Sequence, residues 1–279
     1  MIVDVHTHLS EPEHYHGEFK VGMTAAWPQL GFTEGTPVVH REAMSSVDKM
    51  VVLAFDAPTS GFVVPNEYVA EYVRTDPDRL IGFASVDPNR PDAIERLREA
   101  ANNLGLRGLK LGPIYQHVDP CSAEMNRLLH EAVALEMPVM IHQGTTFVRD
   151  APLRYARPWL LDEVATQHPR LRMCIAHLGH PWCEETMAVI RKHPGLFADV
   201  SALHTRPMQL YMALRSAIEY GVADKLLFGT DYPFASVEAT IKALYAASEM
   251  ADRVGLPPVP RDVVESIIHS PSLELLGLE

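Results

Sequence analysis

The sequence of 279 residues predicts an α/β fold, a single-domain (β/α)8 barrel of the TIM type that spans residues 1–279. Three observations predict this fold. About eight short apolar runs alternate with helical patterns along the chain. The runs are mostly uninterrupted and end at glycine, proline or aspartate, which is typical of parallel strands buried on both faces. The first run lacks the glycine-rich phosphate loop that normally follows it in a doubly wound open sheet.

The predicted strands and helices alternate in chain order. The strands are rich in apolar and β-branched residues and cover residues 2–8, 49–55, 80–86, 108–111, 139–142, 171–177, 196–201 and 225–230. The helices show apolar residues at helical spacing and cover residues 91–104, 123–135, 159–167, 184–192, 208–220 and 237–253. Ser122 and Ser236 stand where N-caps are expected, and Pro91 suits the first turn of its helix.

The least regular stretch is residues 10–36, directly after the first predicted strand. It contains four glycines and the aromatic residues Tyr15, Phe19, Trp27 and Phe32. Loops of this length are uncommon in compact domains and are usually functional. In a barrel, this long loop would lie over the active-site mouth.

Composition excludes several classes of function. The net charge of −12 and the pI near 5.6 make nucleic-acid binding unexpected, because an acidic surface repels phosphate backbones. No apolar run approaches the ~20 residues that a membrane span requires. Three widely spaced cysteines indicate reduced thiols, which together with the polar N-terminal segment predicts a cytoplasmic protein. A homodimer is the default expectation for its assembly.

The segment Asp4-Val5-His6-Thr7-His8 lies in the first predicted strand. Side chains alternate faces along a strand, so His6 and His8 point the same way. Two neutral imidazoles side by side suit a divalent transition metal. Alone, the pair is more often a polar strand edge than a metal site.

Other polar residues stand at the ends of later predicted strands. Lys110 ends the fourth strand, His142 the fifth and His177 the sixth, and Asp231 follows the eighth. In a TIM-type barrel the C-terminal ends of the strands surround one mouth, so these residues become neighbours. Burying each of them without a partner would be costly. A shared metal ion removes that cost for all of them together.

This pattern resembles the amidohydrolase superfamily, and most closely its amidohydrolase-related branch, whose members are like aminocarboxymuconate-semialdehyde decarboxylase. The most specific pieces are the His-x-His of the first strand and Gly229-Thr230-Asp231-Tyr232-Pro233. The resemblance implies the barrel fold and a mononuclear metal site. It also implies that His6, His8, His142 and Asp231 are metal ligands and that His177 is a catalytic residue near the metal.

The sequence departs from the pattern of the branch in two places. After His177 the branch often has two glycines, whereas His180 follows Gly179 here, with Pro181 and Trp182 behind it. Near the C-terminus, Ser270-Pro271-Ser272 replaces the usual Asn-Ala. The first departure changes the wall of the substrate site, so no relative's substrate can be transferred directly.

The predicted reaction is metal-dependent hydrolysis of an amide, lactone or ester of a small carboxylated substrate. One divalent ion, zinc first and manganese second, would activate a bound water, with Asp231 as general base. His177 would orient the water or stabilise the developing oxyanion. The first alternative is non-oxidative decarboxylation of a small aromatic or unsaturated acid at the same site. The second alternative is a metal-independent lactonase or a catalytically inert barrel.

Three cationic residues are candidates for binding an anionic small-molecule substrate: Lys110, Arg149 and Arg206. Lys110 lies between Leu109 and Leu111 in a buried type of strand. Its alternative role is a carboxylated lysine that bridges two metal ions, as in binuclear relatives. Asp199 and Ser201 share one strand face and are placed to hydrogen-bond a ligand histidine.

Overall fold

A computed structural model describes the backbone of residues 1–279 and the side chains of residues 1–250 and 255–279. Eight parallel strands form one sheet, and they follow one another around it in chain order. The last strand returns to the first, because Val5 N donates to Phe228 O at 3.0 Å and Asp231 N donates to His6 O at 2.8 Å. The sheet therefore curls into a barrel, and the predicted (β/α)8 fold is confirmed.

The strands of the barrel agree with the eight predicted ones. They are β1 (Val3–His8), β2 (Lys49–Leu53), β5 (Leu80–Ser85), β6 (Gly108–Leu111), β7 (Val139–Ile141), β8 (Met173–Ile175), β9 (Leu196–Asp199) and β10 (Leu226–Leu227). Several are shorter than predicted at the C-terminal end. The chain leaves the sheet there to place polar side chains around the mouth.

The helices pack around the barrel and include all six that the sequence predicts. They are α1 (Gly17–Ala26), α2 (Pro37–Ala43), α3 (Asn66–Val73), α4 (Ala93–Asn102), α5 (Pro113–Gln116), α6 (Ala123–Ala134), α7 (Leu161–Gln167), α8 (Cys183–Lys192), α9 (Pro207–Tyr220), α10 (Val237–Val254), α11 (Arg261–Ile268) and α12 (Ser272–Leu276). Ser122 and Ser236 cap α6 and α10, because their hydroxyls accept from Met125 N and Ala239 N. None of the helices described is long and apolar enough to cross a bilayer.

Two segments differ from the predicted pattern. Residues 10–36 are not one long loop, because α1 occupies Gly17–Ala26 and buries Phe19 and Met23. These two apolar residues are four apart and share a helix face, a signal that the flanking glycines and prolines hide. The second segment is an antiparallel hairpin of β3 (Phe55–Ala57) and β4 (Phe62–Val64), which extends the chain beyond β2.

The interior of the barrel below the mouth is filled by apolar side chains. A compact cluster joins Val5 on β1, Phe83 on β5 and Phe197 on β9 to Leu273 and Leu276 on α12. A larger cluster packs the outer face of the sheet against the helices. The mouth at the C-terminal strand ends is therefore where the barrel places its buried polar side chains.

Candidate metal centre

A β-bulge turns the two histidines of β1 toward the mouth. Val3 and Val5 face the apolar cluster, and strict alternation would turn His6 and His8 to the opposite face of the strand. The register of β1 on β2 shifts between Asp4 and Thr7, and this shift resets the alternation. The bulge frees the backbone N–H of His6, which donates to Asp4 Oδ1 at 3.0 Å. A bulged strand thus brings both imidazoles into the cavity.

Three atoms meet at the floor of this cavity. His6 Nε2 and His8 Nε2 lie 3.3 Å apart, and each lies 3.3 Å from Asp231 Oδ1. Asp231 has a left-handed backbone (φ 62°), which aims its carboxyl back at β1 while its N–H donates to His6 O. These three predicted ligands are therefore adjacent.

Asp199 fixes the orientation of the His6 ring. His6 Nδ1 lies 2.9 Å from Asp199 Oδ2, and both side chains are fully buried. Donation from Nδ1–H to the carboxylate leaves the Nε2 lone pair directed at His8 and Asp231. This carboxylate–histidine arrangement is the one that commonly supports metal ligands.

The same carboxylate also orients His177, through Ser201. His177 Nδ1 lies 2.7 Å from Ser201 Oγ, and Ser201 Oγ donates to Asp199 Oδ1. Because the hydroxyl proton goes to Asp199, Ser201 accepts from His177 Nδ1–H. His177 Nε2 is therefore a free lone pair, 4.0 Å from Asp231 Oδ2.

His142 lies in the same cavity, beside the three-atom cluster. Its ring packs against Tyr115 and His177 with centroid separations of 4.8 and 5.0 Å. His142 Nε2 is buried and has no hydrogen-bond partner among the described residues. This nitrogen could bind a metal ion, but it does not lie with the ligand atoms of His6, His8 and Asp231 in one cluster.

Lys110 reaches the cluster from β6. Its Nζ lies 3.0 Å from His6 Nε2, and its side chain is 1% exposed. Burial lowers the pKa of Lys110 to about 8, against a raising influence of Asp231 and Asp199. The residue is therefore a buried amine at the cluster, compatible with either role expected for it.

Burial controls protonation throughout this cavity. It lowers the pKa of His6, His8 and His177 well below the usual value, and that of His142 to about 3, with Lys110 adding to the effect. It raises the pKa of Asp231 well above the usual range. Burial therefore favours the neutral imidazoles that metal binding requires, and it favours the protonated form of the Asp231 carboxyl.

The donor set fits a divalent metal ion. An ion with bonds of about 2.0–2.1 Å holds neighbouring ligand atoms roughly 3.0–3.4 Å apart, and the three atoms at the floor have that spacing. These three atoms face one another in a buried space, with Lys110 Nζ beside them. Two nitrogens and a carboxylate oxygen suit zinc or manganese.

Above the floor lies a cavity of about 440 Å³ with aromatic walls. The residues that the sequence did not identify as part of the site are mostly here: Phe55, Phe62, Tyr115, Phe147 and Phe234. Phe19 and Phe62 stack with centroids 4.6 Å apart, which joins α1 to the hairpin. Phe19 and Trp27, both within residues 10–36, also line this cavity. Their spacing in the sequence does not indicate which residues they contact.

The two candidate arginines lie in different places. Arg206 lines the cavity and is half-buried. Arg149 is exposed and is not among the residues that line it. A substrate-binding role for Arg149 therefore has no support from its position.

Several proteins of known structure or function are similar to this chain. A gamma-resorcylate decarboxylase from Rhizobium sp. (strain MTP-10005) is 25% identical over 231 residues, which are 68% of this chain and 71% of that protein. A solved 2,6-dihydroxybenzoate decarboxylase, complexed with 2,6-dihydroxybenzoate, has a TM-score of 0.69 and 18% identity over 100% of this chain and 99% of that one.

Two further solved structures share the fold. A probable 2-pyrone-4,6-dicarboxylic acid hydrolase from Acinetobacter baumannii, with citric acid bound, has a TM-score of 0.68 and 18% identity, with 99% of each chain covered. A dihydroxybenzoic acid decarboxylase from Polaromonas sp. JS666, with bound manganese and the inhibitor 2-nitroresorcinol, has a TM-score of 0.65 and 16% identity over 99% and 97% of the two chains. These structural similarities confirm the predicted barrel fold.

A family model described as amidohydrolase matches residues 3–278. The match spans nearly the whole chain and confirms the resemblance inferred from the His-x-His pair and the segment around Asp231. With decarboxylases among its relatives, the protein is an enzyme, either a hydrolase or a carboxy-lyase. The chain belongs to the amidohydrolase family.

Proposed function

We propose that this protein is a metal-dependent, non-oxidative decarboxylase of a small aromatic acid. The observation that carries the proposal is the cavity itself, in which three ligand atoms 3.3 Å apart lie beneath walls made of aromatic rings. Flat apolar walls suit a flat ring, and the buried polar floor suits its carboxylate. The decarboxylases among the similar proteins support this reaction over hydrolysis, the reaction predicted first from the sequence.

The proposed metal ligands are His6, His8 and Asp231, with His142 as a fourth. His142 is included because its buried Nε2 has no other partner among the described residues. A divalent ion bound there would neutralise and orient the carboxylate of the substrate. Manganese in a similar decarboxylase makes Mn²⁺ a candidate equal to Zn²⁺.

Asp231 and His177 are proposed to handle the proton. Asp231 Oδ1 faces the two histidines of β1, while Oδ2 faces His177 Nε2 at 4.0 Å, so the two carboxyl oxygens face different partners. A proton passes from Asp231 to the ring carbon that bears the carboxylate. The C–C bond then breaks, its electron pair returns to the ring, and CO2 leaves. The reaction is redox-neutral, and His177 returns a solvent proton to Asp231.

Lys110 is proposed to bind the carboxylate as a cation beside a single metal ion. Lys110 Nζ lies 3.0 Å from His6 Nε2, so its positive charge would lie close to a substrate carboxylate bound at the metal ligands. A carboxylated Lys110 between two ions is the alternative. Metal content separates the two, since the first requires one ion per chain and the second requires two.

Hydrolysis is the second candidate reaction. One similar fold belongs to a probable pyrone dicarboxylic acid hydrolase, and the free Nε2 of His177 would equally orient an attacking water. A metal-independent lactonase would use these same residues without an ion. A cytoplasmic location and a homodimer stay predictions.

The reactions are separated by their products. The purified protein, loaded with Mn²⁺ or Zn²⁺, is incubated in D2O with 2,6-dihydroxybenzoate or with 2-pyrone-4,6-dicarboxylate. Decarboxylation predicts CO2 release and one deuterium at the carbon that lost its carboxylate. Ring opening of the pyrone without CO2 would identify a hydrolase, and equal turnover by metal-free protein would overturn the metal-dependent mechanism.

A further inference from the structure

Two residues on the cavity wall have polar groups without an acidic partner. Arg206 lines the cavity, and its guanidinium makes one hydrogen bond, from Nη1 to Ala202 O at 2.8 Å. No ion pair among the described residues includes Arg206. His180 lines the same cavity, and its Nδ1 is buried without a hydrogen-bond partner in the described part of the chain.

These two residues form a neighbourhood separate from the metal-binding floor. Lys110 Nζ lies at the floor, 3.0 Å from His6 Nε2. Arg206 lies in the loop after β9 and His180 in the loop after β8, and both line the cavity wall. The cavity therefore contains two cationic regions, one at the floor and one on the wall.

The barrel separates the two regions. Lys110 lies on β6, the fourth strand of the barrel, and Arg206 follows β9, the seventh, so two strands lie between them around the mouth. Arg206 is also the N-cap of α9, a helix of 14 residues, whose N-terminal dipole adds positive potential. Asp231 is the one carboxylate among the described residues that line the cavity. The protein has a net charge of −12, yet Lys110 and Arg206 outnumber Asp231 among the charged residues described along the cavity lining.

The backbone holds His180 in place on this wall. His180 N donates to His177 O at 2.9 Å, and His180 O accepts from Thr145 N at 2.8 Å. Gly144 has a φ of +113°, and a Cβ there would come within 2.3 Å of His180 O. Glycine is required for this contact, which joins the loops after β7 and β8. His180 is thus held between two strand-end loops.

We propose that the substrate carries two acidic groups on an aromatic ring, and that His180 and Arg206 bind the group that is retained. This inference rests on the proposed decarboxylation, in which the group that leaves lies at Lys110 and the metal ligands. Arg206 would bind the second carboxylate as a fork of two N–H donors. His180 would donate a further hydrogen bond from a neutral ring. Two anionic groups on one flat ring would match two cationic regions in one aromatic-walled cavity.

Isothermal titration of the Mn²⁺-loaded enzyme tests this with three related ligands. Salicylate has one carboxylate, whereas 4-hydroxyisophthalate and 2-hydroxyterephthalate add a second one meta or para to it. We expect at least one of the two dicarboxylates to bind ten-fold or more tightly than salicylate. Arg206→Gln should lower the affinity for that dicarboxylate by roughly 10- to 100-fold, because charge-assisted hydrogen bonds to the second carboxylate are lost. The affinity for salicylate, which has no second carboxylate, should stay within two-fold.

Two further variants keep the test interpretable. His180→Gln should weaken dicarboxylate binding several-fold. This variant provides an independent test if Arg206→Gln lowers the melting temperature of the protein. Arg107→Gln, on the exposed segment before β6, is the matched arginine control and should change nothing. No preference for either dicarboxylate, or equal weakening of salicylate and dicarboxylate in Arg206→Gln, would overturn the inference.

The CO2 assay distinguishes this inference from the proposed reaction. CO2 release from salicylate or 2,6-dihydroxybenzoate without any dicarboxylate preference would refute the second subsite and leave decarboxylation intact. Dicarboxylate binding that depends on Arg206, without CO2 release from any of these ligands, would support the subsite and refute decarboxylation.

Discussion

The floor and the wall of the cavity are built in different ways. At the floor, His6, Asp199 and Asp231 lie near the C-terminal ends of their strands, nearly or fully buried and held by hydrogen bonds. The wall is made by α1, the β3–β4 hairpin and the loops after β7 to β9, and its main side-chain contacts are between aromatic rings. From this difference we expect the floor to set the chemistry and the wall to select the substrate.

The largest effect should come from a change at the floor that removes the proton donor. Asp231→Asn keeps the shape of the side chain but cannot donate an acidic proton, so turnover should fall by roughly 10³-fold. CO2 release from the best substrate checks this, measured at equal bound metal and with folding verified by circular dichroism. A variant within ten-fold of the parent enzyme would show that Asp231 is not the acid.

A change one layer behind the floor should act on the metal. In Asp199→Asn the amide can donate to His6 Nδ1, which would place the ring proton on Nε2 and remove a ligand lone pair. Metal affinity should fall by roughly 10- to 100-fold, the usual cost of losing such a partner. Competition with a chelating dye measures the change. Asp162→Asn, in a surface ion pair with Lys192, is the control and should retain full affinity.

The sequence predicts the floor better than the wall for a physical reason. Polar residues after apolar strands are conspicuous, and barrel closure brings their strand ends together, so His6, His8 and Asp231 could be grouped without a structure. The bulge in β1 could not be predicted from the sequence. His6 and His8 lie on the same face of the strand with or without a bulge before them, so their spacing gives no sign of it. The left-handed backbone at His177 and Asp231 also has no sequence signal, since neither is glycine.

The wall depends on contacts between segments distant in sequence. Phe19 and Phe62 stack although 43 positions separate them, so neither residue alone indicates an aromatic wall. The glycines and prolines of residues 10–36 predict a loop, whereas the packing of Phe19 and Met23 stabilises α1. Tertiary packing overrode local propensity here, as it commonly does for short helices.

Lys110 lies between floor and wall and should show an intermediate effect. Lys110→Met keeps the length and apolar stem but removes the charge, so KM for an anionic substrate should rise by roughly ten-fold. Metal content measured alongside decides its role. One ion per chain in both parent and variant supports a substrate-binding lysine, whereas a loss from two ions to one supports the carboxylated, binuclear alternative.

The smallest effect should come from the aromatic part of the wall, and α1 offers a matched pair for measuring it. Phe19 is buried among the rings that line the cavity, whereas Val21 on the same helix is 63% exposed. Phe19→Ala should raise KM for an aromatic acid several-fold, because an apolar contact with the substrate is lost, while kcat and metal content stay near the parent values. Val21→Ala should change none of these quantities. A fall in kcat or in bound metal for Phe19→Ala would mean that the wall also positions the floor, and the division between chemistry and selection would fail.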